Sequence, residues 1–283
     1  MNVNFIGIGA IGLPMALQIH NAGHAVTGVD VMPGSRAKAE AQGIPTVASV
    51  SDLKPADVAV VMVATPEQLA KVVDVAVAMT TPVAKTWVIM STVGPASVRE
   101  QGERLRAAGA RVVDAPVTGG TARAKIGKLV IFASGDSGDI DVVRPVLQAM
   151  GEVQVTGDAL GEGQAIKVVN QHLCSVHIVA AAEALNLARS LGLDPAQVLK
   201  LVERGAGGSW MLTDRGPRML GDTDVEVTSS INIFVKDSGL VAQSAQDCGA
   251  AVPLLDIAHR RYRAAADAGL GLRDDSRVIE TWK

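Results

Sequence analysis

Residues 2–12 read NVNFIGIGAIG, a strand-like apolar run that passes directly into three glycines with the spacing GxGxxG. The following residues, LPMALQIHNAG, have the apolar spacing of a helix. In a strand–turn–helix of this kind the first glycine allows a tight bend, the second lets a pyrophosphate approach the backbone, and the third packs helix on strand. The same glycines also fit an ordinary turn. We predict a dinucleotide-binding loop at Gly7, Gly9, Ala10, Ile11 and Gly12.

The residue that ends the next strand bears on the choice of cofactor. The run AVTGV at 25–29 ends in Asp30, 18 residues after Gly12. A carboxylate at this place can accept hydrogen bonds from both hydroxyls of an adenosine ribose, and it repels a 2′-phosphate. Arg36 is close enough in the sequence to weaken that repulsion. We predict that the protein uses NAD, and that NADP is the less favoured cofactor.

Strand and helix patterns alternate from residue 1 to about residue 160. The strand-like runs are VNFIGIG, AVTGVD, VAVVMVA, TWVIMST, RVVDAP and LVIFASG. Such alternation predicts a doubly wound α/β domain, with a parallel sheet covered by helices on both faces. Later patterns are helical and separated by Gly or Asp-Pro. We predict a Rossmann NAD-binding domain at 1–162 and an all-α domain at 163–283 that opens with a long interdomain helix at 164–191.

The composition argues against several classes of function. The 283 residues have a net charge of −3 and only 2% aromatic residues, which disfavours nucleic acid as a partner. His and Glu residues interrupt the long apolar run after residue 167, so it does not predict a membrane span. The N-terminal residues lack the basic stretch of a targeting signal. Cys174 and Cys248 lie in apolar helical patterns without metal-site spacing. We expect a cytoplasmic protein with buried free thiols and no metal.

A second glycine motif follows a later strand. Residues 114–120 read DAPVTGG and lead into a helical pattern. A hydroxyl and two glycines at the carboxyl end of a strand can present backbone N–H groups to an anion, and ligands of doubly wound sheets gather at those strand ends. Two adjacent glycines equally fit a plain turn that needs positive φ. We predict that Thr118, Gly119 and Gly120 bind the carboxylate of a substrate.

Residues 163–171 read GQAIKVVNQ and contain the strongest candidate for a catalytic group. In a helix Lys167, Asn170 and Gln171 share one face. A lone helical lysine is usually a solvated surface group. This helix, however, is apolar around most of its circumference, which predicts that it is buried on all sides and that its polar face lines a cleft between the domains. We predict that Lys167 is a general acid and base toward a hydroxyl or carbonyl, and that Asn170 and Gln171 orient the substrate.

Four motifs in this order resemble those of the β-hydroxyacid dehydrogenases, the family of 3-hydroxyisobutyrate dehydrogenase and tartronate semialdehyde reductase. They are GIGAIGLPMA, DAPVTGG followed by GKLVIFASG, GQAIKVVNQ, and FVKDSGLV at 234–241. The resemblance covers essentially the whole chain. It implies a small hydroxycarboxylate substrate, catalysis by the lysine described above, and a helical domain that forms homodimers or homotetramers. It also implies that Thr92 and Lys236 contact the cofactor and that Phe234 lies near the nicotinamide.

Within that family the chain is most similar to the L-threonate dehydrogenase branch, which oxidises the 2-hydroxyl of four-carbon sugar acids. Gln171 stands where most members have Asn, and the segments HIVAAAEAL, GGSWM and DDSRVI also resemble this branch. The branch usually has His where this chain has Asn170, so the substrates of 3-hydroxyisobutyrate dehydrogenase and tartronate semialdehyde reductase remain alternatives. Relatives that act as imine reductases or as non-catalytic NAD-binding modules typically lack the lysine, which argues against both.

Overall fold

The computed structural model describes residues 1–282. Backbone contacts divide the chain into two compact units, one that ends at Lys167 and one that begins at Val168. We call them the N-terminal unit and the C-terminal unit. A helix that begins at Glu162 runs through this division. The predicted domain boundary after residue 162 therefore remains a prediction.

A twisted sheet forms the framework of the N-terminal unit. Its strands are β1 (Asn2–Ile6), β2 (Ala25–Val29), β3 (Thr46–Val47), β4 (Ala56–Val61), β5 (Ala84–Ile89), β6 (Arg111–Asp114), β7 (Val117–Thr118), β8 (Leu129–Ser134) and β9 (Gly151–Gly157). The strand order is β3-β2-β1-β4-β5-β6-β8-β7, and β9 pairs with β8. The chain order reverses at β1, which is the topology of a doubly wound Rossmann sheet. The predicted α/β fold is confirmed.

Helices cover both faces of this sheet. They are α1 (Gly12–Asn21), α2 (Pro33–Glu40), α3 (Pro66–Ala78), α4 (Pro95–Ala107), α5 (Gly120–Ala124) and α6 (Ser137–Met150). In β1, Val3 and Phe5 belong to one apolar core and Ile6 belongs to the other. Because successive side chains of a strand point to opposite faces, both faces of the sheet are apolar and each packs against a helical layer.

The sheet is parallel from β3 to β6, as predicted, and antiparallel pairs follow β6. β8 runs antiparallel to both β6 and β7, whereas β8 and β9 are parallel to each other. Residues 119–128 connect β7 to β8. A parallel connection needs a crossover of about a dozen residues or more, so this short link returns the chain in the opposite direction.

The C-terminal unit is helical apart from its connecting segments in the part of the chain that the structure describes. α7 (Glu162–Ser190) leads to α8 (Pro195–Val202), α9 (Trp210–Leu220), α10 (Ile231–Cys248) and α11 (Pro253–Ala265). In its core the rings of Phe234 and Tyr262 stack with their centroids 5.2 Å apart. The buried hydroxyl of Tyr262 donates to the Ser175 carbonyl (2.9 Å), which satisfies the polar end of the ring. Within residues 1–282, none of the helices is long and apolar enough to cross a membrane.

Two expectations about burial are wrong. α7 is not buried on all sides, because Ile166, Val169 and Leu173 are exposed by 44%, 62% and 48%. These residues recur on one stripe of the helix, and an apolar composition alone does not show which stripe packs inside the chain. Cys174 is half-buried, and Cys248, the last residue of α10, is exposed.

Candidate active site

In the glycine loop between β1 and α1, the fold requires glycine at two positions and leaves free space at a third. At Gly7 φ is +96°, and a Cβ there would lie 2.3 Å from the Met62 carbonyl oxygen. A Cβ at Gly12 would lie 1.9 Å from the Gly7 carbonyl oxygen. A Cβ at Gly9 would have no heavy atom of the described chain within 4 Å, and both Gly9 and Ala10 are exposed. The loop therefore leaves space at the N-terminus of α1, which fits a phosphate group.

Asp30 follows β2, and the local backbone holds its side chain. Its Oδ1 accepts a hydrogen bond from the Met32 N–H (2.9 Å). Arg36 Nη1 donates to the carbonyl oxygens of Asp30 (2.8 Å) and Val31 (3.2 Å). The guanidinium of Arg36 thus lies beside the residue predicted to select the cofactor, as its place in the sequence suggests.

Thr118, Gly119 and Gly120 form the turn between β7 and α5. Thr118 is half-buried and Gly120 is exposed. The φ angles of Gly119 and Gly120 are +125° and +65°, a backbone region that favours glycine. The turn geometry therefore accounts for both glycines without a ligand. Carboxylate binding by residues 118–120 remains a prediction.

The carboxyl ends of β6 and β8 hold the first turn of α7. Asp114, the last residue of β6, accepts hydrogen bonds at Oδ2 from the N–H groups of Gly161 (3.1 Å) and Gln164 (3.0 Å). The hydroxyl of Ser134, at the end of β8, accepts a hydrogen bond from the Gly163 N–H (3.0 Å). The first N–H groups of a helix have no acceptor inside the helix. The sheet therefore supplies the cap of α7.

Gln164 connects the same turn to the loop that follows β5. Its Oε1 accepts from the backbone N–H groups of residues 93–94, both at 3.0 Å. Its Nε2 donates to the Ser91 carbonyl (2.9 Å) and to Asp114 Oδ1 (3.0 Å). The side chain is fully buried, so these bonds replace water around the amide. The connected loop contains Thr92, one of the predicted cofactor contacts.

The first turn of α7 lies unusually close to the sheet. A Cβ at Gly163 would lie 2.3 Å from the Phe132 carbonyl oxygen of β8. Burial raises the pKa of Asp114 to about 6, and the hydrogen bonds that its carboxylate accepts oppose that rise. Above that pH the group is ionised and can accept a hydrogen bond from each of its donors. The turn is therefore fixed both by packing and by a buried carboxylate.

Lys167 lies one helical turn after Gln164, on the same face of α7. Its side chain is only 6% exposed, whereas the apolar stripe described above is largely exposed. This is the reverse of an ordinary surface helix, which buries its apolar face. The alternative of a solvated surface lysine does not agree with this burial. A buried lysine on a fixed turn is suited to proton transfer.

Gln171 belongs to a chain of polar side chains within the C-terminal unit. Its Nε2 donates to Asp237 Oδ2 (2.5 Å), and its Oε1 accepts from Asn170 Nδ2 (2.8 Å). Lys236 Nζ lies 2.6 Å from Asp237 Oδ1. Spacing alone predicts an ordinary surface ion pair for Lys236 and Asp237, but Asp237 is only 4% exposed, so that interpretation is wrong for the carboxylate. Because a carboxylate only accepts, Asp237 fixes which end of the Gln171 amide faces it.

The sequence motifs contain three residues of these networks that the prediction of the site omits: Asp114, Gln164 and Asp237. Asp114 and Gln164 are polar residues in a strand and a helix that are predicted to be buried, and that position is the signal that could have identified them. For Asp237, which is predicted to lie on the surface, the sequence contains no such signal. Phe234 lies in the core of the C-terminal unit, and its proximity to a nicotinamide remains a prediction. The same holds for cofactor contacts by Thr92 and Lys236. Among residues 1–282 no group of three or more His, Cys, Asp or Glu side chains could hold a metal ion.

Two family models match consecutive parts of the chain. Residues 2–161 match the NAD-binding domain of 6-phosphogluconate dehydrogenase. Residues 161–282 match the NAD-binding region of NADP-dependent 3-hydroxyisobutyrate dehydrogenase. The chain belongs to the 3-hydroxyisobutyrate dehydrogenase family. As a member of that family it is a hydroxyacid dehydrogenase, an oxidoreductase of CH–OH groups that binds a nicotinamide dinucleotide, and the resemblance found in the motifs is confirmed.

Individual members of the 3-hydroxyisobutyrate dehydrogenase family match over their full length. The L-threonate dehydrogenase of Cupriavidus necator is 35% identical over 99% of this chain and 95% of its own length. The structure of 3-hydroxyisobutyrate dehydrogenase from Salmonella typhimurium matches with a TM-score of 0.89 and 32% identity, and covers 99% of each chain. The Mycobacterium tuberculosis 3-hydroxyisobutyrate dehydrogenase, in a structure with L-serine, matches with a TM-score of 0.84 and 30% identity over 100% of this chain and 99% of its own.

Proposed function

We propose that this member of the family oxidises the 2-hydroxyl of a four-carbon aldonate, with L-threonate as the best candidate, and that it prefers NAD. The observation that carries the proposal is the burial of Lys167 on a helix turn fixed by the sheet. Gln171 supports the choice of substrate. Its side chain is one methylene longer than the Asn of most members, and Asp237 orients its amide group. The similarity to L-threonate dehydrogenase supports the same choice. 3-Hydroxyisobutyrate and tartronate semialdehyde are the alternative substrates.

The chemistry is shared between the cofactor and the chain. When bound, the oxidised nicotinamide supplies a hydride acceptor for C2 of the substrate. The Nζ of Lys167 accepts the proton of the 2-hydroxyl, and it returns that proton to the oxygen in the reverse reaction. As an ammonium, the same group stabilises negative charge on that oxygen. The turn at 118–120 holds the substrate carboxylate with a hydroxyl and backbone N–H groups, while Asn170 and Gln171 orient the remaining hydroxyls.

A substrate panel tests the proposal. NADH formation is measured with purified protein and NAD on L-threonate, D-erythronate, 3-hydroxyisobutyrate, D-glycerate and L-serine. We expect kcat/KM for L-threonate or D-erythronate, the two four-carbon aldonates, to exceed that for each of the other three compounds by at least about tenfold. This factor corresponds to ~1.4 kcal/mol of transition-state binding. Turnover only of 3-hydroxyisobutyrate or glycerate would keep the family chemistry and discard the aldonate.

Replacing Asp30 by Ser is expected to lower the ratio of kcat/KM for NAD to that for NADP by at least about tenfold. The change removes the carboxylate that binds the ribose hydroxyls and repels a 2′-phosphate. Arg36, whose guanidinium lies beside Asp30, then becomes available to that phosphate. Kinetics with both cofactors measure the ratio. Adding Arg36→Ala is expected to remove the gained NADP activity, and an unchanged ratio in the single variant would exclude Asp30 as the selector.

Two glycine substitutions in the same loop are expected to separate folding from cofactor binding. Gly12→Ala places a Cβ 1.9 Å from a backbone oxygen, and we expect it to destabilise the protein by about 1–3 kcal/mol. Gly9→Ala has room in the free protein, so its stability should stay within about 0.5 kcal/mol, while its Cβ blocks close approach of the pyrophosphate. We therefore expect NADH to bind Gly9→Ala at least tenfold more weakly. Urea unfolding and NADH fluorescence titration measure the two effects; normal NADH affinity in Gly9→Ala would contradict the proposed phosphate site.

We also propose that the protein forms a homodimer or homotetramer. The exposed stripe of Ile166, Val169 and Leu173 on α7 supports this proposal, because an apolar helix stripe of this kind is buried when a second subunit packs against it. Light scattering on the purified protein measures the mass. A monomer at micromolar concentration would contradict the proposal.

A further inference from the structure

We propose that Asp114 and Gln164 are positioning residues for Lys167, because they hold the first turn of α7 against the carboxyl ends of β5, β6 and β8. This inference rests on the proposed catalytic role of Lys167. All three residues lie within the N-terminal unit. In the proposed reaction neither Asp114 nor Gln164 contacts the substrate or the cofactor.

The cap of α7 differs from an ordinary helix cap. The usual N-cap is a side chain immediately before the helix. Here the acceptor is Asp114, which is 50 residues away from Gln164 along the chain and lies at the end of another element. A cap from the same segment would fix only the local backbone, whereas this cap fixes the helix relative to the sheet. Lys167 is carried one turn further on, so its place relative to the strand ends depends on that cap.

Gln164 adds a second constraint in a different direction. Its amide bonds to the loop after β5 at three backbone groups and to Asp114 at the fourth contact. A side chain held at both its acceptor and its donor end has little freedom to rotate. Since Gln164 and Lys167 share one face of the helix, rotation of α7 about its axis would break these bonds. The network therefore fixes both the position of the turn before Lys167 relative to the sheet and its rotation about the helix axis.

The contacts specify the substitution that tests this idea. The two carboxylate oxygens of Asp114 accept hydrogen bonds from the N–H groups of Gly161 and Gln164, from the Ser134 hydroxyl and from Gln164 Nε2. In Asp114→Asn the shape is kept, but an NH2 group replaces one acceptor and faces a donor. Gln164→Leu removes all four amide contacts at similar volume. Gln101→Leu is a matched control, because Gln101 is also buried but bonds to Arg104 within α4.

The first measurement is a kinetic double-mutant cycle. Asp114→Asn and Gln164→Leu are expected to lower kcat by about 10- to 100-fold, a range typical of a displaced catalytic group. The Kd for NADH is expected to change less than about threefold in Asp114→Asn, which leaves the bonds of Gln164 to the loop after β5 in place. In the Lys167→Ala background the same substitutions are expected to change the residual kcat by less than about threefold, because residues that act as one unit are not additive. Gln101→Leu is expected to leave kcat unchanged in either background. Equal losses in both backgrounds would overturn the inference.

The second measurement does not depend on turnover. Hydrogen exchange followed by mass spectrometry is expected to show at least tenfold faster exchange at residues 161–167 in Asp114→Asn, and no change there in Gln101→Leu. Exchange as slow as in the wild type would overturn the inference. If the wild type oxidises no hydroxyacid, the proposed function fails, and the exchange result alone decides whether Asp114 holds this turn.

Discussion

Replacing Lys167 by Ala is expected to lower kcat for oxidation of L-threonate by about 10²- to 10⁴-fold, the range typical of a general acid–base group. The Kd for NADH is expected to stay within about threefold, because Lys167 is proposed to act on the substrate hydroxyl, whereas the glycine loop and Asp30 are proposed to hold the cofactor. The physical reason is that the 2-hydroxyl keeps its proton unless a positioned base removes it as the hydride leaves. Steady-state kinetics and NADH fluorescence titration measure the two quantities.

Two further variants show whether the amine itself is responsible. Lys167→Arg keeps a positive charge but replaces the amine with a guanidinium that stays protonated. It is therefore expected to be nearly as inactive as Lys167→Ala. Lys200→Ala, at an exposed lysine of α8, is expected to retain full activity. A Lys167→Arg variant with more than about a tenth of wild-type kcat would show that charge, and not proton transfer, is what the side chain supplies.

The second large effect concerns the stability of the C-terminal unit. Arg215 forms a two-pronged ion pair with Asp275, with Nε–Oδ1 at 3.0 Å and Nη2–Oδ2 at 2.9 Å. Asp275 is fully buried and Arg215 is 8% exposed. Burial raises the pKa of Asp275, and the guanidinium of Arg215 opposes that rise. Arg215→Met is expected to reduce the free energy of unfolding by about 3–5 kcal/mol, because it leaves a buried carboxylate without its main partner.

The signal used to follow unfolding must come from the C-terminal unit alone, since a chain with two units need not unfold in one step. In a Trp87→Phe background, the remaining tryptophans, Trp210 and Trp282, both lie in that unit. Urea unfolding followed by their fluorescence then gives the free energy.

Two control variants distinguish the loss of a buried ion pair from the loss of a positive charge on the surface. Arg273 pairs with Asp224 on the surface, with side chains 49% and 83% exposed, so Arg273→Ala is expected to cost less than about 1 kcal/mol. Adding Asp275→Leu to Arg215→Met is expected to recover much of the loss, because the unpaired charge is then gone. A loss in Arg215→Met no larger than that in Arg273→Ala would contradict the account.

The elements that could be predicted from the sequence are those with a strong local pattern. The glycine loop and the β-branched runs indicate the Rossmann fold, and the structure confirms it. The strand-like runs of the sequence do not include β9, because its residues are half-buried or exposed throughout and it lacks an apolar face. In the predicted all-α domain, α9 has no clear helical pattern of its own, because it contains Gly216 and Pro217, which usually interrupt helices. A Cβ at Gly216 would lie 2.7 Å from the Leu199 side chain, so the glycine lets α9 pack closely on α8.

In the candidate site, too, only the features with a local sequence pattern could be predicted. Lys167, Asn170 and Gln171 could be placed on one face because helical spacing relates neighbours along the chain. The carboxylates that hold this part of the helix could not be predicted from the sequence. Asp114 is 50 residues from its partner Gln164, and Asp237 is 66 residues from its partner Gln171. Helical or strand periodicity contains no information on such pairs. Only the folded chain brings a carboxylate from a strand end to the cap of a distant helix.

The most direct test of the proposed reaction follows the hydride itself. L-Threonate that carries deuterium at C2 is oxidised by the purified protein with NAD, and the NADH is analysed by mass spectrometry. Each NADH molecule formed is expected to contain one deuterium, because the hydride passes from C2 to the nicotinamide without exchange with water. NADH without deuterium, or consumption of L-threonate without NADH, would contradict the proposed reaction.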